Sequence, residues 1–210
     1  MPDISKWNIE KVKNISGMFA CCKLLEVIPD ISKWDIKNTT DISYLFCGCS
    51  SLKTIPDISN WDTRNVTKIN HMFSYCLSLE SIPYIFNITN KVTNIQNIFA
   101  HCKSLYKLSG NMSNWNTENV VDMSCIFEEC LKLEYIPDIS RWKTDKVKRM
   151  DYMFNDCISL KNIPDISNWN TNELIIITKL FFGCCSLQSL PDISKWNINN
   201  YKYLGIMIRK

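Results

Sequence analysis

Histidine is nearly absent from this chain of 210 residues: His71 and His101 are the only two. A serine or cysteine nucleophile therefore has almost no general base available, and a mixed Cys/His zinc site lacks its nitrogen ligands. No Cys-x-x-Cys pair occurs among the 11 cysteines, so the spacing of a zinc ribbon is missing too. Long hydrophobic runs are also lacking. The longest, Leu174-Ile175-Ile176-Ile177, is far short of the ~20 residues that span a bilayer, and no membrane insertion is expected. Charge of one sign does not accumulate: 24 Lys and Arg stand against 21 Asp and Glu, a net +3, and the lysines are spread out instead of forming a phosphate-binding stripe. Nucleic acid is thus not an expected partner. The start, Met1-Pro2-Asp3-Ile4, has neither the basic leader nor the apolar core of a signal peptide. The sequence gives no reason to expect a catalytic residue, a cofactor or a metal, and an enzyme is not expected.

What the chain has instead is repetition. Trp7, Trp34, Trp61, Trp115, Trp142, Trp169 and Trp196 lie on one 27-residue grid, interrupted at Ile88. In step with them run Pro-Asp-Ile-Ser before each tryptophan, then an aliphatic residue, an aromatic, a cysteine and a leucine. A grid this strict is the signature of a solenoid, in which each repeat buries its apolar face by stacking on its neighbours. The unbroken repeat predicts a single domain over residues 1–210 of about seven to eight coils. Neither end carries the polar cap that solenoids normally need, so the expectation is a slice of a longer protein, or a chain whose ends pair with something, including further copies of itself.

Within the coil from Ile55 to Ile82, the apolar residues Val66, Ile69, Phe73 and Cys76 are spaced by three, four and three positions. That spacing predicts one face of a short helix, with Thr63 or Asn65 as its cap. Val12, Ile15, Phe19 and Cys22 repeat the pattern, as do Val120 to Cys130 and Val147 to Cys157. Leu-x-x-Ile-Pro follows, read as a short strand ended by its proline, as in Leu52 to Pro56 and Leu79 to Pro83. Asp57-Ile58-Ser59-Asn60 then turns the corner through side chains suited to local backbone hydrogen bonds. The predicted fold is an α/β repeat with one short strand and one short helix per coil and a parallel sheet on one wall. At ~4.8 Å per coil the rod would be roughly 35–40 Å long. The predicted core ladders are Trp34, Trp61, Trp115, Trp142 and Trp169; Phe19, Phe46, Phe73, Phe127 and Phe154; and Cys49, Cys76, Cys130 and Cys157.

The unit Val-x-x-Ile/Met-x-x-x-Phe-x-x-Cys-x-x-Leu-x-x-Ile-Pro resembles the BspA-like leucine-rich repeat proteins, and within them the variant first catalogued as a mycoplasma domain of unknown function. The residues that carry the likeness are Trp61-Asp62-Thr63-Arg64-Asn65-Val66-Thr67 with Met72-Phe73, and Trp115-Asn116-Thr117-Glu118-Asn119-Val120 with Ile126-Phe127. The resemblance covers essentially the whole chain. It implies a right-handed leucine-rich-repeat-like solenoid, and a surface or secreted protein that binds other proteins without catalysis. Two coils depart from the pattern. In the fourth, Ile88 stands at the tryptophan position, one residue is missing before Phe99, and Gly110 is inserted later; in the seventh, Ile175, Ile176 and Phe182 occupy positions that are polar elsewhere.

Seven cysteines, Cys22, Cys49, Cys76, Cys102, Cys130, Cys157 and Cys184, form one column, open to a disulfide ladder, a metal site or, as favoured here, a row of buried thiols. Cys21, Cys47, Cys125 and Cys185 stand outside it. The column Asp3, Asp30, Asp57, Asp138, Asp165 and Asp192 is read as turn-forming carboxylates in preference to calcium ligands, since each coil offers only one or two oxygens. Sequons at Asn14, Asn38, Asn65, Asn87 and Asn111 are ascribed to chance in so asparagine-rich a chain. The candidate binding residues lie on the sheet wall, between the strand's leucine and its isoleucine: Val27, Thr54, Ser81, Tyr106, Lys107, Tyr135, Asn162 and Ser189. Alternation puts the second residue of each pair toward solvent, and tyrosine suits a protein ligand. The expected function is a protein-interaction module of an adhesin-like protein; a structural spacer, a self-assembling solenoid and an intracellular scaffold are the alternatives.

Overall fold

The 27-residue period of the sequence becomes one circuit of the chain in space. Parallel bridges link Asn14 to Asp41 and Asp41 to Lys68 on one wall, and Thr54 to Ser81 and Tyr135 to Asn162 on another. In the computed structural model, residues 3–82, 86–110 and 112–197 are described; Pro83, the Asn111 sequon and the terminal Tyr201–Gly205 stretch lie outside them. The coils enclose one continuous apolar core that runs from Ile4 to Trp196. Its spine is a ladder of phenylalanines, Phe19, Phe46, Phe73, Phe99, Phe127, Phe154 and Phe181, whose successive ring centroids lie 5.5–5.9 Å apart. Stacked aromatic pairs add about 0.5–1.5 kcal/mol each beyond the area they bury.

The inward polar hydrogens are satisfied by the same coil-to-coil step. From Trp34 onward each tryptophan Nε1 donates to a carbonyl of the coil below, from Trp34 to Ile4 (3.1 Å), from Trp61 to Ile31 (3.1 Å) and from Trp142 to Met112 (2.8 Å), whereas Trp7 is half exposed. A buried indole N–H without such a partner would be costly. This accounts for the tryptophan column: its side chain fills the core and ties two coils together. The fourth coil manages without it. Ile88 is buried at the tryptophan position, Phe86 packs on Trp61 at 6.3 Å, and the Phe86 carbonyl accepts the Trp115 Nε1 at 3.1 Å.

The expected sheet wall is much reduced. Among the described residues its one regular ladder pairs strand β1, Ser81–Ile82, with strand β2, Lys107–Leu108, in parallel register. Elsewhere the strand is a single bridge, held by bonds such as Lys53 N–H to Glu26 carbonyl (3.2 Å) and Glu80 N–H to Lys53 carbonyl (3.0 Å).

The helix predicted on Val12, Ile15, Phe19 and Cys22 and on their equivalents does not form; among the described residues the one helical element is a 3₁₀ turn over Met112–Asn114. A run of turns takes its place. The N–H groups of Ile15, Gly17, Phe19 and Cys21 donate forward to the carbonyls of Asp41, Ser43, Leu45 and Cys47, while those of Met18, Ala20 and Cys22 turn back to Ile15, Gly17 and Phe19. The third residue of the Ile15 turn, Gly17, and of the Phe19 turn, Cys21, have φ of +64° and +59°, the mark of type II turns and incompatible with a right-handed helix. Both positions recur in every coil as two left-handed columns, one through Gly17, Tyr44, His71, Asn97, Cys125, Tyr152 and Lys179, the other through Cys21, Gly48, Tyr75, His101, Glu129, Asp156 and Gly183. A spacing of three, four and three delivers one inward side chain per tight turn as readily as it lines one face of a helix. Thr63 and Asn65 correspondingly cap nothing. Thr63 Oγ1 donates to the Asn87 carbonyl (2.6 Å) and Asn65 Nδ2 to the Lys37 carbonyl (2.7 Å), each tying its coil to a neighbour.

Candidate functional site

The sheet wall presents the residues that the repeat leaves free to vary. Val27, Tyr106 and Tyr135 are 63%, 54% and 58% exposed. Thr54, Lys107, Asn162 and Ser189 are exposed as well, and Ser81 is half-buried. Alternation does not govern this wall. Both residues of most pairs point outward, Lys53 with Thr54, Tyr106 with Lys107 and Glu134 with Tyr135, because a strand one bridge long has no room to establish a period of two. The first members of the pairs, of which the predicted set held only Tyr106, therefore belong to the surface too. Glu26 holds Lys53 at 3.0 Å, and Glu134 holds Lys161 at 2.5 Å, whose ammonium lies 5.5 Å from the centre of the Tyr135 ring. Side-chain ion pairs this exposed contribute little to stability, which leaves them available for exchange with a partner's charges.

The opposite wall, built from the run of turns, carries a second set of features that the periodicity did not announce. Two aromatic pairs stack on it face to face, Tyr44 on His71 at 4.6 Å and Tyr75 on His101 at 4.2 Å. Burial holds the His71 imidazole below its ordinary value. His101 Nδ1 lies 3.3 Å from the Glu129 carboxylate, which Lys103 holds at 2.8 Å. Beside them, burial pushes the Glu128 carboxyl up, and burial together with Glu128 pushes the Cys125 thiol well up. The signal for the left-handed columns was present in Gly17, Gly48, Gly183 and Asn97, residue types that tolerate positive φ.

The cysteine column lies inside the core from Cys49 onward, with Cys49, Cys76, Cys130 and Cys157 fully buried, while Cys22 is only partly buried against it. Six of its thiols point at the carbonyl of a phenylalanine one coil back, Cys49 at Phe19, Cys76 at Phe46, Cys102 at Phe73, Cys130 at Phe99, Cys157 at Phe127 and Cys184 at Phe154, at 3.0–3.2 Å. Burial pushes the Cys49 thiol up to about 11 and the Cys184 thiol up to about 12. The aspartate column is spent locally: Oδ1 of Asp3, Asp30, Asp57, Asp138, Asp165 and Asp192 each accepts the serine N–H two residues on at 2.9 Å. Among the described residues no three His, Cys, Asp or Glu side chains gather as a metal site, and no helix is long and apolar enough to cross a membrane.

Coils joined by parallel bridges and tight turns, with ladders of like side chains between them, make a repeat solenoid. The family model described as "Mycoplasma protein of unknown function, DUF285" matches residues 1–110 and 93–210, and the chain belongs to that family. It is similar to a leucine-rich repeat protein of Eubacterium ventriosum, at 20% identity over 75% of this chain with a TM-score of 0.48, and spans 43% of that protein's length. It is also similar to the leucine-rich repeat protein of T. pallidum, at 18% identity over 93% of this chain and 78% of the other with a TM-score of 0.44, and to one from Bacteroides ovatus, at 22% over 85% and 52% with a TM-score of 0.42. No curated protein matches it.

Proposed function

We propose that this chain is a non-enzymatic protein-interaction module, part of a surface or secreted adhesin-like protein, that recognises its partner through the sheet wall. The observation that carries the reading is the exposure of Tyr106 and Tyr135, with Lys107 beside them, on a wall whose framework residues are otherwise buried. Tyrosine brings a large amphipathic surface at little entropic cost, and a solenoid wall offers many such positions at a regular spacing. The right-handed sense of the coil and the unity of residues 1–210 as one domain belong to the same proposal. So does the absence of catalysis.

The test is to replace Val27, Tyr106, Lys107, Tyr135 and Asn162 together by serine and to compare, by cross-linking mass spectrometry on the surface of the native host cell, the proteins captured by the two chains. Loss of specific partners with an unchanged circular dichroism spectrum supports the module. An identical set of partners removes the sheet wall from consideration. Concentration-dependent elongation in light scattering would favour the self-assembling solenoid instead.

A further inference from the structure

Four cysteines stand outside the buried column, and they differ in their surroundings. Cys125 is half-buried beside Glu128, and Cys185 is exposed next to Cys184 in its own coil. Cys21 and Cys47 come from consecutive coils and share one opening. The Cys21 N–H donates to the Cys47 carbonyl at 2.7 Å, so the two backbones are locked side by side. In the left-handed column Cys21, Gly48, Tyr75, the glycine leaves a gap, and Cys21 Sγ reaches over it, 3.3 Å from where a Cβ on Gly48 would stand. The result is a cup of about 390 Å³ bounded by Cys21, Lys23, Cys47, Ser50, Tyr75 and Leu77. At the equivalent glycine of the seventh coil, Gly183, the Asp156 carboxylate leans into the corresponding space.

We propose that Cys21 and Cys47 form a thiol–disulfide exchange site that takes a low-molecular-weight disulfide as co-reactant and ends as a disulfide between the first two coils. The 2.7 Å bond from the Cys21 N–H to the Cys47 carbonyl and the opening the two side chains share bring them together, and a disulfide accepts ~4.4–6.8 Å between Cα atoms. Cys21, the exposed member, reacts first. Its thiolate attacks one sulfur of the small disulfide, the S–S bond breaks, and one small thiolate leaves. The Cys47 thiolate then attacks the Cys21 sulfur of the mixed disulfide and expels the second. Two electrons pass from the protein dithiol to the small disulfide, and the two protons lost by the cysteines end on the two released thiols. The column thiols from Cys49 to Cys184 do not compete, since they are buried and directed at backbone carbonyls; Cys22, only partly buried, is the neighbour whose linkage to Cys21 or Cys47 would count against the proposal. The product bridges the mouth of the cup and staples the first coil, through Gly17 to Cys21, to the second.

The experiment uses the fully reduced chain, incubated with oxidised glutathione at a series of glutathione ratios, alkylated without unfolding and read by intact mass and peptide mapping. The expected result is a chain lighter by two hydrogens, with a linked Cys21–Cys47 peptide, at ratios where every other cysteine is still a thiol. Cys47→Ser should halt at the first step, with one glutathione retained on Cys21, and Cys185→Ser should leave the product unchanged. Hydrogen exchange in residues 12–22 should slow by about tenfold on oxidation, since the staple restrains these residues against separating from the next coil. Glutathione retained on either cysteine of the unsubstituted chain without the linked peptide would overturn the proposal. So would a disulfide joining two copies, or a first disulfide elsewhere in the chain.

Discussion

Gly183 holds φ at +75°, and a side chain there would meet the Asp156 carboxylate and its Cα. Gly183→Ala is expected to cost about 2 kcal/mol, roughly half from left-handed strain and half from the collision, seen as a lower urea midpoint at unchanged slope. Asp156→Ala in the same chain removes the carboxylate but not the Cα, so it should return most of the collision part and leave the strain, and a double-mutant cycle measures the carboxylate's share. A second residue-scale prediction concerns Glu128, whose carboxyl is raised by burial. A group with a folded value above its unfolded one contributes most when protonated, and that contribution is lost as pH rises through the folded value. Glu128→Gln should therefore raise the melting temperature at pH 7. The gain should shrink to nothing as pH falls below the ordinary carboxyl value of about 4.3.

Among the elements, the fourth coil tests how a ladder tolerates a missing rung. Phe86 already packs on Trp61 while Ile88 fills the tryptophan position, so Ile88→Trp should overpack the site and cost about 1–3 kcal/mol in chemical denaturation. This is the opposite of what the repeat alone suggests, where restoring the consensus tryptophan looks favourable. The grid of Trp, Phe, Cys and Leu made the circuit length and the inward columns readable directly, because a side chain that packs on its own copy in the next coil must recur at the same period. Which backbone carries those columns was not readable from the apolar residues. Val66, Ile69, Phe73 and Cys76 serve a helix or a series of turns equally, and the deciding information sat in the residues between them, Gly17, Gly48 and Gly183, whose φ only the backbone geometry makes meaningful. The sheet-wall candidates were located by the framework around them, whereas the stacking of Tyr44 on His71 and Tyr75 on His101 falls in a column whose residue types vary, and the shared opening of Cys21 and Cys47 depends on a contact across coils at an offset of 26 residues, off the period.

At the scale of the whole molecule, stability is a sum over neighbouring coils, so the position of a defect along the rod matters as much as its chemistry. Phe73 has a ring on either side, Phe46 and Phe99. Phe73→Ala should cost about 3–5 kcal/mol, and hydrogen exchange should show protection lost most in the coils that flank residue 73 and least in the coil of Phe154. The bonds between coils also run in opposite senses. Within the run of turns the N–H groups that cross between coils point to the following coil, as from Phe19 to Leu45. At the bridge that leads into it, as from Thr40 to Lys13, and on the sheet wall, as from Lys53 to Glu26, they point to the preceding one, as do the tryptophan Nε1 and cysteine Sγ donors of the core. In an α-helix every peptide dipole adds to the last. Here the forward and backward bonds oppose one another, so the rod has little electrical polarity along its axis, and coils can be added without building up a field between its two faces.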